Sequence, residues 1–193
     1  MPDSSAELEA LLVRITEAVA ARTPPGGMAT RIVAVDGAGG AGKSTFAGHL
    51  AAALGDCPIV HTDDFASWDS PIDWWPALLE RVLQPLSRGE VARFTPTQWS
   101  PEVRPEPVEL APDKFLVLEG VSASRQAFQP YLTYAIWIET SPTTRLRRGL
   151  ERDGEAARAQ WVAWMAEEDA YWERERPDLA ADIVLDGERD LWM

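Results

Sequence analysis

The chain has 193 residues, 46% hydrophobic and 25% charged, with a formal net charge of −13. That size suits one domain around one core, no run approaches the roughly 18 apolar residues of a membrane span, and a single cysteine, Cys57, excludes an internal disulfide framework. So acidic a chain is a poor partner for nucleic acid polymers, and any anionic ligand must be met by a local basic pocket.

The two histidines, His49 and His61, argue against a histidine zinc site, and the chain has no asparagine and only two lysines, Lys43 and Lys114, beside sixteen arginines. The first ten residues carry Asp3, Glu7 and Glu9 and no basic residue, unlike a secretory leader. A cytoplasmic location is expected.

In chain order, 4–22 reads as a helix with an apolar stripe of Leu8, Leu11, Leu12, Ile15 and Val19, ended by Thr23-Pro24-Pro25-Gly26-Gly27. A β-branched run at 31–35 predicts a strand, followed by a Gly-rich loop and a helix over 43–54. Further strands are expected at 59–62, 115–118, 134–138 and 183–185, and helices at 74–87, 142–152 (capped by Ser141) and 155–174. Strands separated by helices imply an α/β fold with a parallel sheet of about five strands. The Pro- and Trp-rich stretch 65–112 fits that plan least and reads as an insertion of the kind that forms a lid or a substrate pocket.

Residues 37–44 read GAGGAGKS and satisfy G-x-x-x-x-G-K-[ST]. Backbone N–H groups of Gly37, Ala38, Gly39, Gly40, Ala41 and Gly42 can curl round a phosphate, and the helix N-terminus at Lys43 points at the same anion. Lys43 reaches the β- and γ-phosphates, the Ser44 hydroxyl suits Mg²⁺, and Thr45 completes the cradle. The expected cofactors are therefore ATP and Mg²⁺. Neither lysine lies in the [NT]-K-x-D motif that reads guanine, which sets a GTPase aside.

Phosphoryl transfer also needs a base for the acceptor hydroxyl, further metal tethers and cations for the moving phosphoryl group. Carboxylates at C-terminal strand ends supply the first two. Asp63 and Asp64 follow the second predicted strand, and Glu119 ends the third ahead of Gly120. Arg145, Arg147, Arg148 and Arg152 form the densest basic cluster. Arg148 and Arg152, four apart, share a helix face and can clamp a phosphate, although a solvated face pairing with Glu151 and Asp153 has the same appearance.

Five blocks together resemble the uridine kinase family, which stands with phosphoribulokinase and bacterial pantothenate kinase among the P-loop kinases. They are IVAVDGAGGAGKS at 32–44, HTDDF at 61–65, LVLEGV at 116–121, RLRRGLERD at 145–153 and ADIVLDG at 181–187. The resemblance implies that Asp63 is the catalytic base, with Asp64 the alternative, and that Ser44, Asp63 and Glu119 serve the metal. It implies further that Arg148 and Arg152 belong to a lid over 145–158, and that Asp186 and Gly187 lie near the adenine. Asp63, Asp64, Phe65, Phe94, Trp99 and Arg125 are the expected acceptor contacts. The family's Tyr-Asp block falls on RFTPTQW at 93–99 with Gln98 in place of the acid, which leaves the acceptor's identity open.

The remaining conspicuous residues have plainer readings. Trp68, Trp74, Trp75 and Trp99 either stack on a base or form the insertion's own core. Trp161, Trp164 and Trp172 pack a helix, Trp137 is a core strand residue, Cys57 is a buried small hydrophobe, and Glu167, Glu168 and Asp169 form a solvated face. The expectation is one P-loop kinase domain over 1–193, with an N-terminal helix within 1–25. It would phosphorylate a small hydroxylated acceptor, a nucleoside first. Alternatives are a monophosphate, sugar, vitamin-precursor or antibiotic kinase, or a nucleotide-binding regulator without chemistry. The partners are ATP and the small acceptor, with no membrane and no nucleic acid polymer, and a homo-oligomer is left open.

Overall fold

The computed structural model describes residues 4–66, 72–98, 104–189 and 191–192. Helix α1 (Ser4–Ala21) leads to strand β1 (Arg31–Gly37), helix α2 (Lys43–Ala53) and strand β2 (Ile59–His61). Next come α3 (Trp75–Leu78), a π-helical turn (Leu79–Leu83) and α4 (Gln84–Ser87), which together make one irregular helix. Strands β3 (Ala92–Phe94), β4 (Val108–Leu110), β5 (Phe115–Glu119) and β6 (Leu132–Glu139) follow. Helices α5 (Pro142–Asp153), α6 (Arg158–Glu175) and α7 (Pro177–Ala180) and strand β7 (Ile183–Asp186) complete the chain.

Five strands form a parallel sheet in the order β2-β5-β1-β6-β7. Strand residues alternate between its faces. Val33, Val35, Phe115, Val117, Ile136 and Ile138 join Ile15 and Val19 of α1 and Phe46 and Leu50 of α2 in one core. Ile32, Ala34, Leu116 and Leu118 meet Leu78, Val82, Leu83, Leu86 and Phe128 in the other. The register aligns His61 with Glu119, Gly37 with Ile138 and Glu139 with Asp186. The C-terminal ends of all five strands thus share one edge, where ligands of parallel sheets bind.

The insertion has more order than its composition suggests. Strands β3 and β4 pair antiparallel, Ala92 with Leu110 and Phe94 with Val108. At three residues each they are too short to show a period. The expected 74–87 helix is present, but its π turn falls just ahead of Pro85, which lacks an N–H and whose ring crowds the carbonyl four residues back. Trp74 packs near Phe65 and Phe128 in the main core, with ring centroids 6.4 Å from each. Trp68 and Trp99 lie outside the described residues. Among the described residues no helix is long and apolar enough to cross a membrane.

Candidate active site

The loop 37–42 joins the end of β1 to the start of α2, so its amides converge at a helix N-terminus. Gly40 has φ +77°, and a Cβ there would stand 2.6 Å from the Arg145 carbonyl oxygen. Only glycine accepts both the angle and the approach. Lys43 is buried, and its Nζ donates to the Ala38 carbonyl at 3.0 Å, across the mouth of the loop.

Glu119, at the end of the neighbouring strand, is 4% exposed. It accepts a hydrogen bond from Ser44 Oγ at 3.1 Å and another from His61 Nδ1 at 2.6 Å. Burial alone would raise its pKa, but the His61 bond, the Lys43 charge and Ser44 outweigh burial and hold it low. The Glu119 bond raises His61 in turn. Beyond Glu119, the chain turns at Gly120, where any Cβ would collide with the Thr62 hydroxyl.

Asp63 and Asp64 lie in a 3-10 turn (Thr62–Asp64) directly after β2. Asp63 keeps an open face to solvent, yet the protein around its carboxylate pushes its pKa up, with Lys43 and His61 opposing and Glu119 adding to the rise. Asp64 is raised by burial as well, against the His61 charge. Its carbonyl accepts from the Thr97 N–H at 2.7 Å, which ties this turn to the insertion. Phe65 lies on Phe94 at 4.9 Å between ring centroids.

The arginine cluster divides by helix face. Arg147 faces out and pairs with Glu151. Arg148 Nη1 donates to the Gly187 carbonyl at 2.9 Å and to that of Gly40 at 3.4 Å. It thereby links α5 to both the phosphate loop and the loop after β7. Arg152 pairs with Asp153, lies over the Trp161 ring at 5.5 Å and shares an electrostatic field with Asp63. Arg145 is 1% exposed and is a structural residue. Gly187 packs against the Ala41 carbonyl and Thr140, and Asp186 accepts from the Glu188 N–H at 2.9 Å. The loop expected near adenine therefore abuts the phosphate loop.

Two expectations need correction. Arg125 is 2% exposed, donates to the Ile72 carbonyl at 3.0 Å and pairs with Glu175 at 3.4 Å. The rings of Trp75 and Tyr171 lie 5.2 and 5.8 Å from it. Its guanidinium holds α6 to the segment after β5, so the expected acceptor contact is engaged by the protein's own groups. Glu168, expected on a solvated face, is 3% exposed. Its Oε1 accepts from the Gly39 N–H at 2.9 Å and from Trp164 Nε1 at 2.6 Å. The expected contact Trp99 lies outside the described residues.

Asp36, overlooked in the sequence, is fully buried beneath the loop. Its carboxylate accepts from Gly37 N–H (2.7 Å), Ser122 N–H (2.9 Å), Ser124 N–H (2.9 Å), Ser124 Oγ (2.7 Å) and Tyr171 Oη (3.2 Å). It joins the phosphate loop, the turn after Glu119 and helix α6. A lone acid ahead of a Gly-rich loop, with Ser122 and Ser124 after E-G, was the available signal. Among the described residues Lys43 is the positive neighbour common to Asp36, Asp63, Glu119 and Glu168.

No cluster of three or more His, Cys, Asp or Glu side chains with metal-binding geometry occurs among the described residues. Mg²⁺ at a phosphate site needs only one or two protein oxygens and completes its shell from phosphates and water. Ser44 and Glu119, hard oxygen donors 3.1 Å apart, fit such a role.

No protein-family sequence model matches the chain, and no curated protein sequence does. Solved structures match over nearly all of it. A possible uridine kinase from Bacillus stearothermophilus superposes with a TM-score of 0.70 at 17% identity, over 93% of this chain and 100% of that one. A candidate fructose transport system kinase from Silicibacter sp. TM1040 gives 0.72 at 21% identity, over 92% and 98%. The fold is the P-loop kinase fold, with its five-stranded parallel sheet flanked by helices.

Proposed function

We propose that the chain is an ATP-dependent kinase that moves the γ-phosphoryl group of ATP to a hydroxyl of a small neutral acceptor. The observation that carries this reading is the grouping of the phosphate loop, Lys43, Ser44–Glu119 and Asp63 at one sheet edge, with Lys43 as their shared cation. A nucleoside such as uridine or cytidine is the first acceptor to test. A sugar is the second, because one structural neighbour is a candidate fructose transport system kinase.

In the reaction the acceptor oxygen attacks the γ-phosphorus, the bond from that phosphorus to the β–γ bridging oxygen breaks, and Asp63 takes the hydroxyl proton. The crowding that raises Asp63 brings its basicity closer to that task. Lys43 neutralises the moving phosphoryl group, with Arg148 and Arg152 reaching it from α5. Ser44, Glu119 and Asp63 would serve Mg²⁺, which supplies charge neutralisation on the β- and γ-phosphates. Residues 145–158 act as the lid, with Gly154 (φ +86°) breaking the helix between α5 and α6.

A neutral acceptor is favoured over a phosphorylated one by the charge around Asp63. Asp63 and Asp64 are carboxylates, Arg125 is committed to Glu175, and of the insertion's arginines, Arg81, Arg88, Arg93 and Arg104, Arg88 and Arg93 pair with Glu90 and Glu109. The test is ADP release from Mg-ATP across nucleosides, nucleoside monophosphates, sugars and pantothenate, with the intact chain and Asp63→Asn. Acceptor-stimulated ADP release is expected, lost in Asp63→Asn while ATP binding is kept. ATP binding without release on any acceptor favours a non-catalytic regulator, and a fully active Asp63→Asn overturns the assignment of the base.

A further inference from the structure

Helix α6 crosses the back of the phosphate loop with an inward stripe of Trp161, Trp164, Glu168, Tyr171 and Glu175, spaced three and four residues apart. Such spacing normally buries apolar groups, yet one of its members is a carboxylate seated on a phosphate-loop amide, Glu168 on Gly39. Space at Gly39 is limited by the same helix, since a Cβ there would stand 3.0 Å from Glu168 Oε1 and 3.2 Å from the Trp161 ring. The second oxygen of Glu168, Oε2, makes no hydrogen bond, and Arg145 Nη2 stands 3.6 Å from it. Arg145 Nε and Trp137 Nε1 are also without hydrogen-bond partners, and all three residues line one small buried cavity beside Asp36. A buried carboxylate with one committed and one uncommitted oxygen is positioned to accept a proton.

We propose that Glu168 is a positioning residue of the phosphate loop that also acts as a proton-linked counter-anion. It holds the Gly39 amide and keeps helix α6 against the loop, and it takes up a proton when nucleotide phosphate enters beside it. The inference rests on the nucleotide reading above. The charged and titratable groups facing Glu168 come from several elements: Lys43 of α2, Asp36 of β1, Arg145 of α5, and Asp169 and Tyr171 of α6. Burial raises the pKa of Glu168, and the Lys43 charge opposes that rise by favouring the charged form. Incoming phosphate takes over Lys43 as its own counter-ion and adds negative charge nearby. Both changes favour the protonated form, so nucleotide binding and proton uptake are coupled. A neutral Glu168 still accepts from Gly39, so the helix stays in place.

The test is calorimetric titration of the full chain with Mg-ATP in two buffers of different ionisation enthalpy, which counts protons, for the wild type and Glu168→Gln. At pH 8 the wild type is expected to take up more protons than Glu168→Gln and to bind Mg-ATP at least threefold more weakly. The affinity gap should close as pH falls and Glu168 becomes protonated beforehand. Equal proton counts with equal affinities overturn the proposal, and so does Glu168→Gln binding more weakly at every pH, the signature of a purely structural clamp. Should Glu168→Gln not fold, release of Mg-ATP from a caged precursor in the wild type must produce the infrared band of a newly protonated carboxyl group, and its absence overturns the proposal. Absence of ATP binding removes the proposed function together with this inference. Binding without proton linkage removes this inference alone, and linked binding without acceptor turnover removes the kinase reading alone.

Discussion

Asp36 offers the sharpest test of how the site is held. Its Oδ1 accepts from two fixed backbone N–H groups, those of Gly37 and Ser122. Its Oδ2 accepts from the Ser124 N–H and from two hydroxyls, Ser124 Oγ and Tyr171 Oη. In Asp36→Asn the amide oxygen keeps the first pair, while the NH₂ faces the Ser124 N–H, one donor against another. The hydroxyls can turn to accept from it. One stranded buried donor costs about 1–3 kcal/mol, and weaker bonds from the lost charge add to that. Removing a fully buried charge offsets part of the sum, so a net loss of about 2 kcal/mol is expected. Asp36→Ala strands three backbone donors and should cost about 4 kcal/mol or more, whereas Tyr171→Phe gives up one bond and should cost about 1 kcal/mol. Urea unfolding followed by circular dichroism gives the three values directly. The ranking Tyr171→Phe, Asp36→Asn, Asp36→Ala is the content of the prediction. An Asp36→Asn protein that unfolds at the wild-type midpoint would refute it.

Other outcomes follow from single geometries. Gly40→Ala forces a left-handed φ and a contact on the Arg145 carbonyl, and should cost about 1–3 kcal/mol of stability together with most nucleotide affinity, read by thermal shift with and without Mg-ATP. Cys57 is 8% exposed and burial pushes its pKa up to about 11, so at pH 8 about one thiol in a thousand is ionised and alkylation should be slow until the chain unfolds. Glu188 accepts from the Ser141 N–H and Thr144 Oγ1, and its pKa falls from 4.5 to about 2. A depressed acid stabilises above its unfolded pKa, so the melting-temperature advantage of wild type over Glu188→Gln should be full above pH 4.5 and vanish as pH falls to about 2.

The sequence carried the parts of this molecule that depend on neighbours along the chain. GAGGAGKS between a β-branched run and a helix located the phosphate loop, and strand–helix alternation was enough to anticipate the five parallel strands now seen. Ser141 caps α5 as expected, accepting from the Thr144 N–H at 3.3 Å. What escaped depended on partners far apart. Arg125 is expected as an acceptor contact from the resemblance alone, and its commitment to Glu175, fifty residues on, is set by tertiary packing. Glu167-Glu168-Asp169 looks uniformly solvated until the stripe of α6 is fixed, and then Glu168 alone of the three is buried. Asp36 leaves only a faint trace as an anchor because three of its five donors are backbone N–H groups, which any residue type provides.

The inward stripe of α6 has a consequence for engineering. Buried ionic positions can often be replaced by apolar residues of similar volume with a gain in stability. That gain needs the whole pair to be exchanged, so Leu or Met at 168 or 175 alone would leave the buried Arg145 or Arg125 without its carboxylate and should lower stability. Each would cut a tie: 168 to the phosphate loop, 175 to the Gln126 N–H and Arg125. Only with the arginine exchanged as well would the helix become a better wall and a poorer listener, more firmly folded yet indifferent to what occupies the loop. Variants that melt higher but respond less to nucleotide should accordingly be found only where both partners change together, 168 with 145 or 175 with 125.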